Sequence, residues 1–188
     1  MAQRCLCAGI LTLALTACNN GGNGRPDRGG VAQSAPSTTT TSSATTTAGN
    51  AQAAVIDAYL AYWRTVVAYG SEAAPFDPNE FKNRFSIVAV GAQYDSLFNT
   101  FQLDRAKGWV YRGSENDQHR PQVAELSGDR AVVIDCADDF GGIFDTRENV
   151  YVQPLTPGQY TKIIAVLQRA DGTWKVSTQG GNDERCQL

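Results

Sequence analysis

The stretch Arg130-Ala131-Val132-Val133-Ile134-Asp135-Cys136-Ala137-Asp138-Asp139 decides the fold of this chain. It is apolar over most of its length, which is typical of a β-strand. Because successive side chains of a strand point to opposite faces, Asp138 shares a face with Ile134 and Cys136. The pattern predicts a strand over residues 130–139 with an acidic side chain near its end.

Further strands are predicted on both sides of this stretch. Turn signals such as Ala170-Asp171-Gly172 separate them. The additional predicted strands span residues 109–112, 120–126, 147–152, 159–169 and 173–178. The tail from Gly180 to Cys186 has no strand pattern and is predicted to be irregular.

Helical periodicity precedes the strands. One apolar stripe with spacings of three and four residues contains Val55, Ala58, Tyr59, Tyr62, Trp63, Val66 and Val67. Such a stripe is typical of a helix with one buried face. Asp77-Pro78-Asn79-Glu80 has the N-cap, first-turn proline and capping-box residues of a second helix, with Phe81 and Phe85 facing inward. A third helix is predicted from about Val90 to Lys107.

The order of three helices and then four to six antiparallel strands predicts an α+β fold, with helices packed on one face of a curved sheet. This order resembles the nuclear transport factor 2-like fold, a cone in which three helices cover a strongly bent sheet. The segments that carry the resemblance are 58–63, 104–108, 128–136 and 171–176, with Cys186 beyond them. The resemblance implies a fold and little about activity.

The N-terminal residues have the features of an export signal. Arg4 precedes a mostly apolar run that is too short to cross a bilayer, which takes roughly 20 apolar residues. The run closes on Leu15-Thr16-Ala17-Cys18, which resembles the lipobox of bacterial lipoproteins. The resemblance implies a signal peptide at residues 1–17, a diacylglyceryl group on the sulfur of Cys18, and attachment to the extracytoplasmic face of the bacterial cell membrane. The alternative is an ordinary signal peptide with a chance cysteine.

Residues 18–50 are predicted to form a disordered tether that starts at the lipidated cysteine. The segment is rich in Thr, Ser and Gly, and it contains no aromatic residue. Such a composition cannot bury enough apolar surface to offset the entropy of ordering. A flexible chain of this length reaches roughly 30 Å. The remaining residues, 51–188, are predicted to form one domain of ordinary size.

The predicted domain is net acidic. Three of the 16 basic residues but only one of the 19 acidic residues precede Gln52, so the formal charge after that point is −5, against −3 for the whole chain. This balance argues against nucleic acid as a partner. The predicted partners are the lipid bilayer, through acylated Cys18, and an unknown small molecule or envelope protein. A homodimer through the sheet face is a further option.

The five cysteines divide by position. The resemblance to the lipobox implies that Cys5 and Cys7 leave with the signal peptide and that Cys18 carries the lipid. Cys136 and Cys186 remain in an oxidising compartment, so they are predicted to form a disulfide. The closed loop of about 50 residues is worth roughly 4 kcal/mol in the chain-entropy model. Two buried free thiols are the alternative.

The cone of this fold usually contains a pocket, and five residues are candidates for its lining: Tyr59, Trp63, Tyr111, His119 and Asp138. Related enzymes use a general-base Asp with Tyr or acid donors, or His–Asp pairs, but no spacing here matches their catalytic motifs. A solvated His119, a turn at Asp138 and core packing of Tyr59 are the plainer interpretations. No nucleotide, dinucleotide or metal motif is present in the sequence, so no cofactor or metal is predicted.

Taken together, these features resemble actinobacterial lipoproteins that combine a signal, a tether and this domain. We expect an envelope lipoprotein whose domain binds a small ligand or a protein partner, without catalysis. The alternative is an isomerase- or dehydratase-type enzyme that uses a pocket Asp or His. A cone filled by Trp63, Phe98, Phe101 and Trp109 would weaken the enzyme hypothesis, and an open cone with a carboxylate beside a tyrosine would favour it.

Overall fold

A computed structural model describes residues 42–113, 119–138, 141–153 and 160–186, with the backbone alone for residues 42–48, 138, 160 and 182–185. Three helices come first: α1 (Ser42–Gly70), α2 (Pro78–Phe85) and α3 (Gly91–Lys107). The strands follow as β1 (Trp109–Arg112), β2 (Gln122–Ser127), β3 (Arg130–Asp138), β4 (Gly142–Asp145), β5 (Val150–Gln153), β6 (Tyr160–Ala170) and β7 (Thr173–Arg185). No helix in these ranges is both long and apolar enough to cross a membrane.

The strands form two antiparallel sheets. One has the order β1-β4-β5 and the other has the order β2-β3-β6-β7. The helices pack against these sheets, and α1 and α3 both contact β7. The α+β class with three leading helices is therefore as predicted, while the described ranges contain seven strands in place of four to six.

An aromatic cluster lies where the three helices meet. Phe81 and Phe85 are fully buried and stack with their ring centres 4.4 Å apart. The ring of Tyr69 meets both edge-on, at 5.8 and 5.4 Å. Removing either phenylalanine side chain would cost about 3–5 kcal/mol. The cluster fixes the three helices relative to one another.

Helix α1 begins earlier than the sequence predicted. It starts at Ser42, so the last nine residues of the predicted tether, 42–50, are helical in backbone conformation. Once a helix exists, each added residue gains one hydrogen bond without a new nucleation cost. The helix that is anchored by buried Val55, Tyr59 and Tyr62 can therefore extend backward through a segment whose composition alone does not favour order.

The start of α2 follows the prediction in detail. The Asp77 carboxylate accepts hydrogen bonds from the backbone N–H groups of Asn79 and Glu80, at 2.8 and 3.3 Å. Pro78 occupies the first turn, where its missing N–H leaves no intrahelical bond unmade. At the end of α3, Gly108 adopts φ 77°, the left-handed conformation that glycine accepts at low cost.

The inward face of β3 is opposite to the face of Ile134, Cys136 and Asp138. The buried residues of this strand are Ala131, Val133, Asp135 and Ala137. Ile134 on the other face is 36 % exposed. Asp135 therefore lies in the interior, and the side chain of Asp138 lies outside the described part of the structure.

Strand β4 was not predicted; it begins at Gly142 and pairs with both β1 and β5. The tail was expected to be irregular, yet β7 continues to Arg185 alongside β6. The long β6 strand offers a complete row of backbone partners, and this pairing overrides the weak strand preference of glycine.

Cys136 and Cys186 are joined by a disulfide, with their Cα atoms 5.8 Å apart. Cys136 follows Asp135 in β3, and Cys186 lies just after the end of β7. Strand β6 separates β3 from β7 in the sheet order. The disulfide therefore links the C-terminal end of β7 to β3, on the other side of β6.

Candidate functional site

The carboxylate of Asp135 is the centre of a buried polar cluster. Its exposed fraction is 0 %, and three groups contact it. The Tyr59 hydroxyl donates to Oδ2 at 2.9 Å, and Nδ1 of His119 lies 2.5 Å from the same oxygen. The backbone N–H of Arg120 donates to Oδ1 at 2.6 Å. A buried carboxylate is tolerated only when its oxygens are satisfied in this way.

The register of the sheet brings these groups together. Gln122 of β2 pairs with Ile134 of β3, so the residues just before Gln122 run alongside Asp135. This places His119 and the Arg120 amide at the carboxylate. Tyr59 lies on the buried stripe of α1, 76 residues before Asp135 in the sequence.

Aromatic rings enclose the imidazole of His119. The Trp63 ring stacks on it with ring centres 5.0 Å apart and planes 29° apart. The Tyr59 ring meets it edge-on at 6.2 Å. The His119 side chain is 13 % exposed, so part of the imidazole reaches the surface while its Nδ1 faces the buried carboxylate.

The environment keeps Tyr59 protonated. Burial raises the pKa of the Tyr59 hydroxyl well above its ordinary value, and the neighbouring Asp135 carboxylate raises it further. Tyr59 is therefore a permanent donor that orients the carboxylate at moderate pH.

The arrangement also orients the histidine. A carboxylate accepts hydrogen bonds, so the Nδ1 beside it carries a proton. In neutral imidazole the other nitrogen, Nε2, is then the acceptor. A buried carboxylate that fixes one ring nitrogen while the ring edge reaches the surface is an arrangement suited to proton transfer.

A separate cavity of about 170 Å³ lies between α1, α3, β1 and β4. Most of the side chains that line it are apolar or aromatic: Val66, Leu97, Phe101, Trp109, Tyr111 and Ile143. Phe101 and Trp109 therefore line this space without filling it. Tyr59, Trp63 and His119 do not line this cavity, so the polar cluster and the cavity are distinct features of the domain.

Tyr111 forms one wall of the cavity and depends on two glycines. Its ring lies against the backbone of Gly113 and Gly141, and a Cβ at either position would overlap ring atoms. A Cβ at Gly70 of α1 would lie 3.0 Å from the Cβ of Tyr111. Because glycine has no side chain, these three positions leave room for the side chain of Tyr111.

Two charged residues near the end of α3 also contribute to the cavity wall. Asp104 is half-buried, and this burial raises the pKa of its carboxyl, against the opposing effects of Lys107 and Arg105. Arg105 donates from Nη2 to the carbonyl oxygen of Tyr69 at 2.5 Å. The apolar cavity therefore has an acidic and a basic group in its wall.

The five candidate pocket residues fall into three groups. Tyr59, Trp63 and His119 come together around Asp135, and Tyr111 lines the separate cavity. The side chain of Asp138 is outside the described residues. Asp135 was not among the candidate residues, because both faces of β3 carry apolar side chains and no local signal distinguishes the face of Asp135 from the opposite one.

None of the protein-family models matches this chain, and no curated protein matches its sequence. Among solved structures, the intermembrane space region of the chloroplast protein ARC6 is similar, with a TM-score of 0.51, 11 % identity, and coverage of 66 % of this chain and 91 % of that one. A proposed aromatic ring hydroxylase from Novosphingobium aromaticivorans has a TM-score of 0.42 at 12 % identity, over 69 % of this chain and 92 % of its own. At these identities the likeness concerns architecture alone. The element order and the likeness to the ARC6 region agree with an α+β fold in which three helices precede antiparallel strands, as the sequence predicted.

Proposed function

We propose that this chain is a lipid-anchored envelope protein, of the kind seen in actinobacterial lipoproteins, whose domain binds a small ligand without chemical conversion. Its Cys18 would carry the lipid, and the residues after it would hold the domain away from the extracytoplasmic face of the cell membrane. Two or more acyl chains hold a protein firmly, whereas one chain binds only marginally. The disulfide between Cys136 and Cys186 supports an exported location, because such bonds persist in oxidising compartments.

The single observation that carries ligand binding is the cavity beside Trp109 and Tyr111. Well-packed domains contain few voids larger than a water molecule. An apolar cavity of about 150 Å³ is large enough to take up one benzene-sized molecule. The cavity here, at about 170 Å³, has room for a ligand of that size.

Binding can be tested with a neutral probe. Benzyl alcohol should bind to the purified full-length chain in calorimetric titration, because the ring fits the apolar walls. Val66→Phe should abolish this binding, because the larger side chain fills the cavity from α1. Thr65→Ser on the same helix is the matched control and should bind as the wild type does. Absence of binding to the wild type would refute a ligand-binding role for this cavity.

Anchoring can be tested separately in cells. The wild-type chain should fractionate with membranes, and globomycin should block cleavage before Cys18. Cys18→Ser should release the chain into the soluble fraction. Unchanged membrane association of the Cys18→Ser variant would contradict the lipid anchor.

A second candidate function is proton-transfer catalysis at His119, favoured by its contact with the buried Asp135. In this hypothesis Nε2 of His119 takes a proton from a carbon next to a carbonyl group and later returns one. Asp135 would stabilise the resulting imidazolium, and Tyr59 would hold the carboxylate in place. The chemistry belongs to isomerases and dehydratases, and it needs no cofactor.

Hydrogen exchange tests this second candidate without a known substrate. Acetophenone in D₂O should exchange its methyl protons faster with the protein than in buffer, as followed by proton NMR. His119→Gln should return the rate to that of buffer, whereas Gln118→Ala should not. Exchange at the buffer rate with the wild-type protein would count against catalysis at His119.

A further inference from the structure

An open groove runs along one side of α1 and is separate from the cavity beside Trp109. It consists of two neighbouring hollows of about 400 and 390 Å³, which share Ala61 and Ile87. The apolar side chains that line it include Ala54, Ala58, Ala61, Ala68, Ile87 and Trp174. Because α1 rises 1.5 Å per residue, the stretch from Ala54 to Ala68 is about 21 Å long. We call this surface the α1 groove.

Ile87 exposes a large apolar side chain at the middle of the α1 groove. It lies in the connection between α2 and α3 and lines both hollows. Its exposed fraction of 66 % is the highest among the large hydrophobic side chains of the described residues. Covering this side chain removes apolar surface from water, so a partner seated in the groove would gain hydrophobic free energy.

The charged side chains that line the α1 groove are all arginines: Arg64, Arg84 and Arg169. Within the described part of the chain, no Asp or Glu lines either hollow. This local excess of positive charge contrasts with the net acidic composition of the domain. The groove therefore combines an apolar floor with guanidinium groups, which match the geometry of carboxylates.

The three arginines differ in how free they are to bind a partner. Arg64 is exposed and has no ion pair among residues 42–113, 119–138, 141–153 and 160–186. Arg169 is 45 % exposed, and its only ion-pair contact in these ranges is a long one of 4.0 Å to the exposed Asp129. Such an exposed pair contributes little and can be exchanged for a partner's carboxylate. Arg84 is already paired with two glutamates, so Arg64 and Arg169 carry the charge complementarity.

The shape of the groove favours a helix as its occupant. The alanines of its floor lie on one face of α1 at spacings of three, four and seven residues, so the floor follows the helix axis. Small side chains allow a second helix to approach to an axis distance of about 8 Å. A length of about 21 Å accommodates roughly four helical turns.

We propose that the α1 groove binds an acidic amphipathic helix of a partner protein. The apolar face of that helix would cover Ile87 and lie on the alanines of α1. Its Asp or Glu side chains would pair with Arg64 and Arg169. This is the helix-in-groove mode of recognition, in which apolar anchors recur at spacings of three and four residues. The proposal adds a protein-binding surface to the domain and does not depend on ligand binding in the cavity beside Trp109.

Selection from a phage-displayed library of helical peptides with randomised surface positions tests the chemistry of the partner, with the purified full-length chain as the target. The selected peptides should carry one apolar stripe flanked by Asp or Glu. In fluorescence anisotropy, replacing these acids with Lys should weaken binding of the tightest peptide by about tenfold or more, and added salt should weaken it as well. A central proline should weaken binding by a similar factor, because proline breaks a helix.

Variants of the protein locate the binding surface. Ile87→Asp should weaken binding of the selected peptide by about tenfold or more, because it removes the apolar contact. Leu103→Asp is the matched control, since Leu103 is 59 % exposed on α3 outside the groove, and it should bind as the wild type does. Replacing both Arg64 and Arg169 with Gln should weaken binding by about tenfold and reduce its dependence on salt. Arg130→Gln removes an exposed charge outside the groove and should have no effect.

Each contrary result overturns a stated part of the proposal. If no peptide is enriched, or if the enriched peptides are basic or lack acids, the chemistry of the partner is wrong. Binding that survives Ile87→Asp would overturn the groove as the site, and binding that survives the central proline would overturn a helical occupant. If sedimentation shows a dimer of the wild-type chain that Ile87→Asp dissociates, the groove is an interface between two copies and the proposed partner is wrong. These exposed substitutions do not alter the cavity wall, so the test leaves the proposed small-ligand function to its own experiment.

Discussion

Removing the carboxylate of Asp135 should destabilise the domain more than any single substitution on its surface. In Asp135→Ala the Tyr59 hydroxyl and the Arg120 N–H lose their acceptor in the interior. Each such loss costs about 1–3 kcal/mol, and the contact with His119 is lost as well. The expected decrease in the free energy of unfolding is about 3–5 kcal/mol, a large part of the roughly 5–15 kcal/mol available to a domain.

Urea unfolding followed by tryptophan fluorescence is the appropriate assay, because Trp63 stacks on His119 and reports on this cluster. Tyr59→Phe should cost only about 1 kcal/mol, since it removes one of three donors and leaves no buried polar atom on the tyrosine. Asp129→Ala is the surface control: its carboxylate is 77 % exposed and 4.0 Å from Arg169, so the change should stay within about 0.5 kcal/mol. A loss below about 1 kcal/mol for Asp135→Ala would refute the reasoning.

Three other predictions concern stability. Replacing both Cys136 and Cys186 with serine should lower the free energy of unfolding by about 4 kcal/mol in urea titrations, because the closed loop spans 50 residues, and dithiothreitol should then have no further effect. Burial raises the pKa of both Tyr59 and Tyr62. The stabilisation that each buried tyrosine contributes is therefore complete below the unfolded-state pKa of about 10. It decreases as the pH rises above that value, by up to about 1.4 kcal/mol per pH unit for each tyrosine. Tyr62→Phe should flatten this slope in alkaline urea titrations. Asp77→Ala should cost about 1 kcal/mol through loss of the α2 cap, measured by thermal unfolding, and Asp77→Asn should restore most of it.

The helices could be predicted from the sequence because their signals are local. Asp77 and Pro78 determine the start of α2 by their own chemistry, within one turn. Phe81 and Phe85 then follow at helical spacing and are buried as expected. Such short-range features do not depend on what the rest of the chain does.

The candidate site could be predicted only in part, because it depends on which face of β3 points inward. Both faces of this strand carry apolar residues, so alternation alone could not distinguish the face of Val133 from that of Ile134. The choice is made by packing against α1, which brings Tyr59 to Asp135. Likewise, His119 reaches Asp135 through the pairing register of β2 and β3, a long-range property with no local signal.

The glycines that support Tyr111 have a consequence for how this domain could diversify. Bulk at position 111 and bulk at positions 113 and 141 compete for the same space. A chain with a smaller residue in place of the tyrosine could accommodate side chains at the two glycines, and the cavity wall would then be built from different elements. The volume available to a guest molecule can thus be changed by making one side chain smaller and a neighbouring one larger, at positions 111, 113 and 141. The helices and the sheet pairing would stay as they are.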